Sequence, residues 1–436
     1  MRKPEAALSV LLLLALVSVS GCGTSSAQEE SALSDLLSAN PPQKTYDPPP
    51  EGGYTWQQLL NLTLEDDPDC AAIMAEARAE YYRYKSRTDL EDLSLSAGYS
   101  YIPEVPSNEY SAELRFSIPN PFVNKHVIRA GEASRRQIET NAEMLKNEIA
   151  SRIYELIQEI VIGERELSVL LSREQYMSDW YDVLKARFDV RMATQAEISG
   201  FDIQSMKLKA AVRQKRFETE AARRSLQILV PIPGEKILLN PVPTDWKALL
   251  ALLEDEQALI ENACSRSAEL AGAIAEYEKA SAILGIANAK QIPWFNSVDL
   301  AYSRDLIQSG TSDTVNNNWS LQLRINLPVF AWFSSEKKMA AAEMEAAAFQ
   351  ITGIRTRIQS KITKIVPNLR ETIQFLIDYQ SAYDAMPEIN SEIYPNIEAY
   401  YRMLDSRLSA FEFALNLEMD CAQLYSKLLE ITGIWE

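Results

Sequence analysis

The residue types able to do chemistry are few in this chain. His126 is the single histidine, so a histidine-rich zinc site or a Ser-His-Asp triad has no material. The sequence has no glycine loop for phosphates, no Cys-x-x-Cys pair and no dinucleotide fingerprint. Carboxylates occur throughout, so no particular pair stands out as a general acid and base. No catalytic residue, no resident metal and no cofactor is expected. Acidic residues outnumber basic ones 61 to 43, for a formal charge of −18. That balance argues against nucleic acid as a partner, because phosphate binding needs clustered Lys and Arg.

Of the four cysteines, Cys70, Cys264 and Cys421 match no zinc spacing, permit at most one internal disulfide, and read as small thiols on helix faces. Cys22 is a different case. Residues Met1–Gly21 open with Arg2 and Lys3 and continue as an apolar run through Leu8–Val19, the layout of a secretory signal. The run is shorter than the roughly 20 residues that favour a spanning helix. It ends Val19-Ser20-Gly21-Cys22, which resembles the bacterial lipoprotein cleavage box and implies acylation of Cys22 as the new N-terminus. Several acyl chains anchor stably where one does not. Gly23, standing where such lipoproteins carry Asp for inner-membrane retention, implies sorting to the outer membrane. Residues 22–53 are polar and proline-rich and read as an extended tether.

Beyond the tether the chain repeats itself. Trp56-x-x-Leu59-Leu60 recurs as Trp246-x-x-Leu249-Leu250, and Leu114-Arg115-Phe116-Ser117-Ile118-Pro119 as Leu323-Arg324-Ile325-Asn326-Leu327-Pro328. The two copies are placed at 54–236 and 237–436, each reading helix, strand, strand, long helix, helix. The strands alternate cleanly: Leu93 to Tyr101, Tyr110 to Ile118 and Trp319 to Leu327, with a less regular one about Asn296–Ser303. One side is apolar, and the other carries Glu113, Arg115 and Arg324 among serines and amides. Period-two alternation fits a strand half-buried in a soluble sheet. It fits equally a strand facing lipid on one side and a water-filled lumen on the other. Four such strands cannot close a barrel in one chain, and open edges are not tolerated in hydrocarbon. If they span, two chains would supply eight strands or three chains twelve.

From Phe122 to Val230 there is no proline and only Gly131, Gly163 and Gly200. Ile149, Ile153, Leu156, Ile160 and Leu167 recur at helical spacing, predicting one helix over about Asn124–Arg187. Its length, roughly 96 Å, demands lengthwise neighbours in a coiled-coil-like assembly. The second long helix, from about Ser334, is expected to kink or break at Pro367, Pro387 and Pro395.

This order of elements resembles the TolC-like outer-membrane efflux channel family, over nearly all of the chain from Tyr54. The best local match runs from Phe188 to Ser199, similar to the family's turn followed by a Thr/Ser-rich stretch and an acidic residue; Met403 to Ala414 takes that place in the second copy. Arg191 and Ser406 stand where the family has a turn glycine. The resemblance implies a mainly α fold with β. Its two repeats would give four strands to a trimeric twelve-stranded barrel, and its long antiparallel helices a periplasmic tunnel. It further implies a homotrimer in the outer-membrane lipid that meets a periplasmic adaptor (membrane fusion) protein and an inner-membrane pump. Cargo would pass by a passive conduit in efflux or type I secretion. Loops Ile102–Glu109 and Arg304–Asn318 would face outside, and the turns near 188–197 and 403–412 would form the tip. Under threefold symmetry Glu197, Asp202, Asp405 and Glu412 would become carboxylate rings favouring cations at that constriction, or else remain solvated helix-face charges. The rival reading is a lipid-anchored periplasmic coiled-coil scaffold that never crosses a membrane.

Overall fold

Asn120 begins the dominant element of the structure. Its side-chain carbonyl accepts from the backbone N–H groups of Phe122 and Val123 at 3.0 and 3.4 Å, and Pro121 occupies the first helical turn, where its missing N–H costs nothing. Helix α3 then runs unbroken over Pro121–Asp189, 69 residues or about 100 Å. The computed structural model describes residues 53–89, 94–102, 107–230, 239, 244–309, 312–327, 335–386 and 397–433. Met1–Gly21, Cys22 and the tether lie outside the described residues, as do Pro387 and Pro395.

Eight further helices and four strands complete the described chain. Before α3 come α1 (Trp56–Asp66), α2 (Pro68–Lys85), β1 (Ser94–Ile102) and β2 (Ser107–Ser117). After it come α4 (Gln195–Leu229), α5 (Trp246–Leu252), α6 (Glu256–Arg266), α7 (Ala268–Ala289), β3 (Trp294–Ser309), β4 (Ser312–Asn326), α8 (Ser335–Asp384) and α9 (Ile397–Thr432). The order short helices, two strands, long helix, helix therefore occurs twice. Trp56 and Trp246 each open a helix, capped by Thr55 and Asp245 respectively.

No helix this long buries itself, and α3 is covered in two sections. Its first half lies against α2 and α7, where Tyr84 packs on Gly131 and His126 packs so tightly on Gly285 that a Cβ there would overlap the imidazole. Its second half lies against α4 and α9. Glu166 and Glu164 pair with Lys215 and Arg223 of α4, and Arg165 pairs with Glu418 of α9 at 2.8 Å. Helix α8 runs beside α7 and then α9, with Arg357 to Glu269 at 2.7 Å and a Phe375–Phe413 ring contact. The main cores sit midway, under the short helices. Leu59, Leu60, Ile153, Leu156 and Leu226 form one, and Trp246, Leu253, Ile362, Val366, Leu369 and Ile373 the other. Tyr154 joins them, edge-on to both Trp56 and Tyr425.

The strands form one antiparallel meander, β1-β2-β3-β4. The strands of the second copy are longer than the alternation predicts. The stretch expected as an outer loop, Arg304–Asn318, is mostly paired strand, with Asp305 opposite Asn316. Its residues are mostly polar, and the few apolar ones, Leu306, Ile307 and Val315, fall on both sides, so hydrophobic period gave little signal, and the ladder itself supplies the order. The first expected loop, Ile102–Glu109, is interrupted by undescribed residues, and β2 already begins at Ser107.

Pro367 does not break α8, so the expected interruption there is absent. Its ring is on the exposed side, while Ile362, Val366, Leu369 and Ile373 are fully buried on the other, and that packing outweighs the lost hydrogen bond. Pro367→Ala is expected to stabilise the protein, by up to about 3 kcal/mol, read as a higher midpoint in thermal unfolding of the purified protein.

Candidate functional site

Two places gather charge in a way that matters for function: the polar face of the sheet and the far end of α3.

On the sheet, register fixes which residues meet. Arg115 on β2 stands opposite Asp299 on β3, and Ser297 stands opposite Arg324 on β4. Arg115 Nε donates to Asp299 Oδ1 at 2.9 Å and its Nη2 to Glu113 at 2.8 Å, while Arg324 Nε lies 2.7 Å from Asp299 Oδ2 as an ion pair. The predicted lumen residues Glu113, Arg115 and Arg324 thus form one network, and Asp299 joins them. Sequence reasoning missed Asp299 because β3 carried the weakest alternation. With its side chain only 3% exposed, Asp299 holds both guanidinium groups down against the sheet and neutralises part of their charge.

The opposite face of the sheet is apolar and uncovered. Leu95, Leu114, Leu300 and Leu321 align across all four strands, with Phe116, Val298 and Leu323 in a parallel row. Leu95 and Leu321 are each 67% exposed and Trp319 is 71% exposed. A soluble sheet would lay this face on its own helices, and this one does not. Aromatic pairs bound the band at one end, Tyr99–Tyr110 and Tyr302–Trp319. From Phe295 to Tyr302 the band is about 20–25 Å along the strand.

At the far end, α3 closes in a Schellman turn. Arg191 N–H donates to Phe188 O at 2.9 Å and Met192 N–H to Arg187 O at 2.7 Å, with Arg191 itself at φ 64°. The position therefore has glycine geometry although its residue is Arg. Thr194 and Glu197 then form a capping box that starts α4, Thr194 N–H and Oγ1 donating to Glu197 Oε2 at 2.6 and 2.9 Å. The Thr194 backbone N–H, with its hydroxyl, holds the Glu197 carboxyl below its usual range. Asp202 lies one and a half turns further on, exposed beside the stacked rings of Tyr181 and Phe201.

Asp405 and Glu412 are elsewhere. The expected turn near 403–412 does not exist: those residues lie inside α9, and Ser406 is helical. Leu408 and Phe411 pack there against Ile162, Val169 and Leu415, and the stretch has no helix breaker. Asp405 and Glu412 both point at Arg173 of α3, at 2.7 and 3.4 Å. Nearby, Tyr176 donates to the carbonyl of Tyr401, and burial pushes its hydroxyl up to about 12. The four acids thus do not converge. Glu197 and Asp202 adjoin the turn, whereas Asp405 and Glu412 clamp α9 to α3. Pro387 and Pro395, the other breakers expected in this copy, lie outside the described residues.

Cys70, Cys264 and Cys421 are free thiols, and burial raises that of Cys421 to about 12. Among the described residues no group of three His, Cys, Asp or Glu is placed to hold a metal, and no helix is long and apolar enough to cross a membrane.

Long antiparallel helices carrying an open four-stranded sheet with an exposed apolar face define the TolC-like fold of outer-membrane channels. Solved channels share it across nearly their full length. The outer-membrane channel OprN superposes with a TM-score of 0.63 at 14% identity, covering 87% of this chain and 89% of that one. The outer-membrane protein VceC of Vibrio cholerae gives 0.58 at 14%, covering 87% and 96%. The open state of the MtrE outer-membrane channel of Neisseria gonorrhoeae gives 0.56 at 16%, covering 87% and 88%. No protein-family model and no curated protein sequence matches the chain.

Arg191→Gly is expected to stabilise this turn by up to about 1 kcal/mol by relieving the left-handed backbone, and Arg191→Val to destabilise it, both by denaturant unfolding. Glu197 is depressed in the folded state, so its contribution is complete above the unfolded glutamate pKa of about 4.3 and is lost as pH falls through the lower folded value. Hydrogen exchange of the Thr194 and Glu197 amides is expected to stay slow down to that lower range and to accelerate below it.

Proposed function

We propose that this chain is the outer-membrane channel of a tripartite efflux or type I secretion system. It would act as a homotrimer and a passive conduit from periplasm to exterior, with a periplasmic adaptor and an inner-membrane pump supplying partner and energy. One observation carries this reading. The four-stranded sheet exposes its apolar face, and neither β1 nor β4 has a second strand partner among the described residues. In hydrocarbon, the unpaired backbone groups of both edges must be satisfied, and only closure with sister sheets does that without leaving a new edge. Three copies give a closed barrel with Glu113, Arg115, Asp299 and Arg324 facing its lumen.

The helices support the same assembly. Phe217 and Ile228 of α4 are 74% and 85% exposed, and Met206 and Phe349 are likewise uncovered. Apolar side chains on this scale along helices mark surfaces for lengthwise neighbours. Glu197 and Asp202 would then surround the periplasmic tip. The remaining parts are a signal over Met1–Gly21, an acylated Cys22 followed by a tether to residue 53, and repeats over 54–236 and 237–436.

Neighbouring chains in this assembly join β1 to β4. With cysteine placed at Leu95, Ala97 or Tyr99 in turn, together with Leu321→Cys, a bismaleimide is expected to produce covalent dimers and trimers in isolated outer membranes. Monomers from every pair, with the protein released once its lipid is removed, would instead identify a peripheral scaffold. In planar bilayers the reconstituted trimer is expected to conduct, and Asp299→Asn to shift its reversal potential toward anions, because two guanidinium groups per subunit lose their shared counter-charge. An unchanged selectivity in a conducting Asp299→Asn channel would remove this network from the lumen.

A further inference from the structure

The outward face of the sheet is not apolar to its end. Above the row Ala97–Ala112–Tyr302–Trp319, register aligns Tyr99, Tyr110, Arg304 and Asn317 across the four strands. Parity puts Arg304 on the same face as Leu300 and Tyr302, and the Tyr302 hydroxyl donates to Asn317 Oδ1 at 2.9 Å, which places Asn317 on that face too. Arg304 is exposed. Among the described residues no carboxylate lies within ion-pair distance of it, and its neighbour Asp305 belongs to the opposite face. The rows below hold Leu, Val, Phe and Ala, and above it one more apolar pair, Leu306 opposite Val315, precedes Gln308 opposite Asp313, so this charge stands at the aromatic level near the outer end of the apolar face.

We propose that Arg304, with the Tyr99 and Tyr110 rings beside it and Asn317 across β3–β4, binds the phosphate of an anionic lipid headgroup at the outer-leaflet boundary. This inference rests on the membrane-spanning reading above. A guanidinium at the edge of hydrocarbon, lacking a protein carboxylate, is stabilised most by an anion that the membrane itself brings to that depth. Its planar fork suits phosphate, and Asn317 supplies a further amide donor. The tyrosines sit at the headgroup level with the hydroxyl toward water and the ring toward the chains. Three subunits would carry three such sites around the belt, fixing the depth at which the barrel rides.

The test uses the full-length, detergent-purified protein and native mass spectrometry with added diphosphorylated lipid A, the dephosphorylated lipid, or inorganic phosphate. Wild type is expected to retain the diphosphorylated form at least about fivefold better than Arg304→Gln. Arg304→Lys is expected to be intermediate. Equal retention by Arg304→Gln, equal retention of the dephosphorylated lipid by wild type, or displacement of the lipid by inorganic phosphate would overturn the proposal. Bilayer conductance of the same preparations separates the two readings. Conducting channels with unchanged lipid retention remove only the headgroup site, whereas failure of wild type to insert removes both.

Discussion

Backbone amides and carbonyls that lose water must find partners, and this requirement organises the whole chain. The sheet cannot satisfy it alone. Its inner pairings run from Ser94 opposite Arg115 to Ser309 opposite Ser312, broken only by a bulge between Phe295 and Ser297, yet both outer edges are left with unpaired groups. An apolar face beside open edges is an aggregation hazard in water and an impossible state in lipid. Symmetric closure removes both problems at once. The strand count therefore calls for sister chains, and the proposed trimer would leave the polar network around Asp299 on the inside.

The same requirement shapes the helices in a milder form. An element of 69 residues satisfies its own backbone but not its apolar stripe, so α3 is covered by α2 and α7 over one section and by α4 and α9 over the other. Ion pairs fix the register of this packing: Arg173 reaches two carboxylates of α9 that lie two turns apart on one face. Partly exposed pairs of this kind add little stability each. Their effect is to set which turn of one helix faces which turn of the other.

Much of this was legible in the sequence. Trp56 and Trp246 marked the duplicated start, Asn120-Pro121 and the proline-free stretch marked α3, and the alternation of β1, β2 and β4 gave both faces of the sheet. The illegible parts have physical causes. The outer hairpin of β3 and β4 is mostly polar, with Leu306 and Val315 on one face and Ile307 on the other, so no clean period betrays it. Residues 403–412 imitate the composition of the first turn, but helical packing of Leu408, Phe411 and Leu415 decides their state. Pro367 reads as a breaker because local rules do not see the buried neighbours that keep its helix continuous.

The sequence by itself determined the apolar and polar faces of β1, β2 and β4, about how long the main helix would be, and that a histidine-rich site lacked its residues. These properties depend on spacing and composition, which are local. Only the tertiary structure decided that Asp299 would draw Arg115 and Arg324 together, that Arg191 would take the left-handed conformation of a glycine, and that Asp405 and Glu412 would serve a helix clamp. Each of those outcomes depends on strand register or on the facing of two helices, set by contacts between residues far apart in the chain.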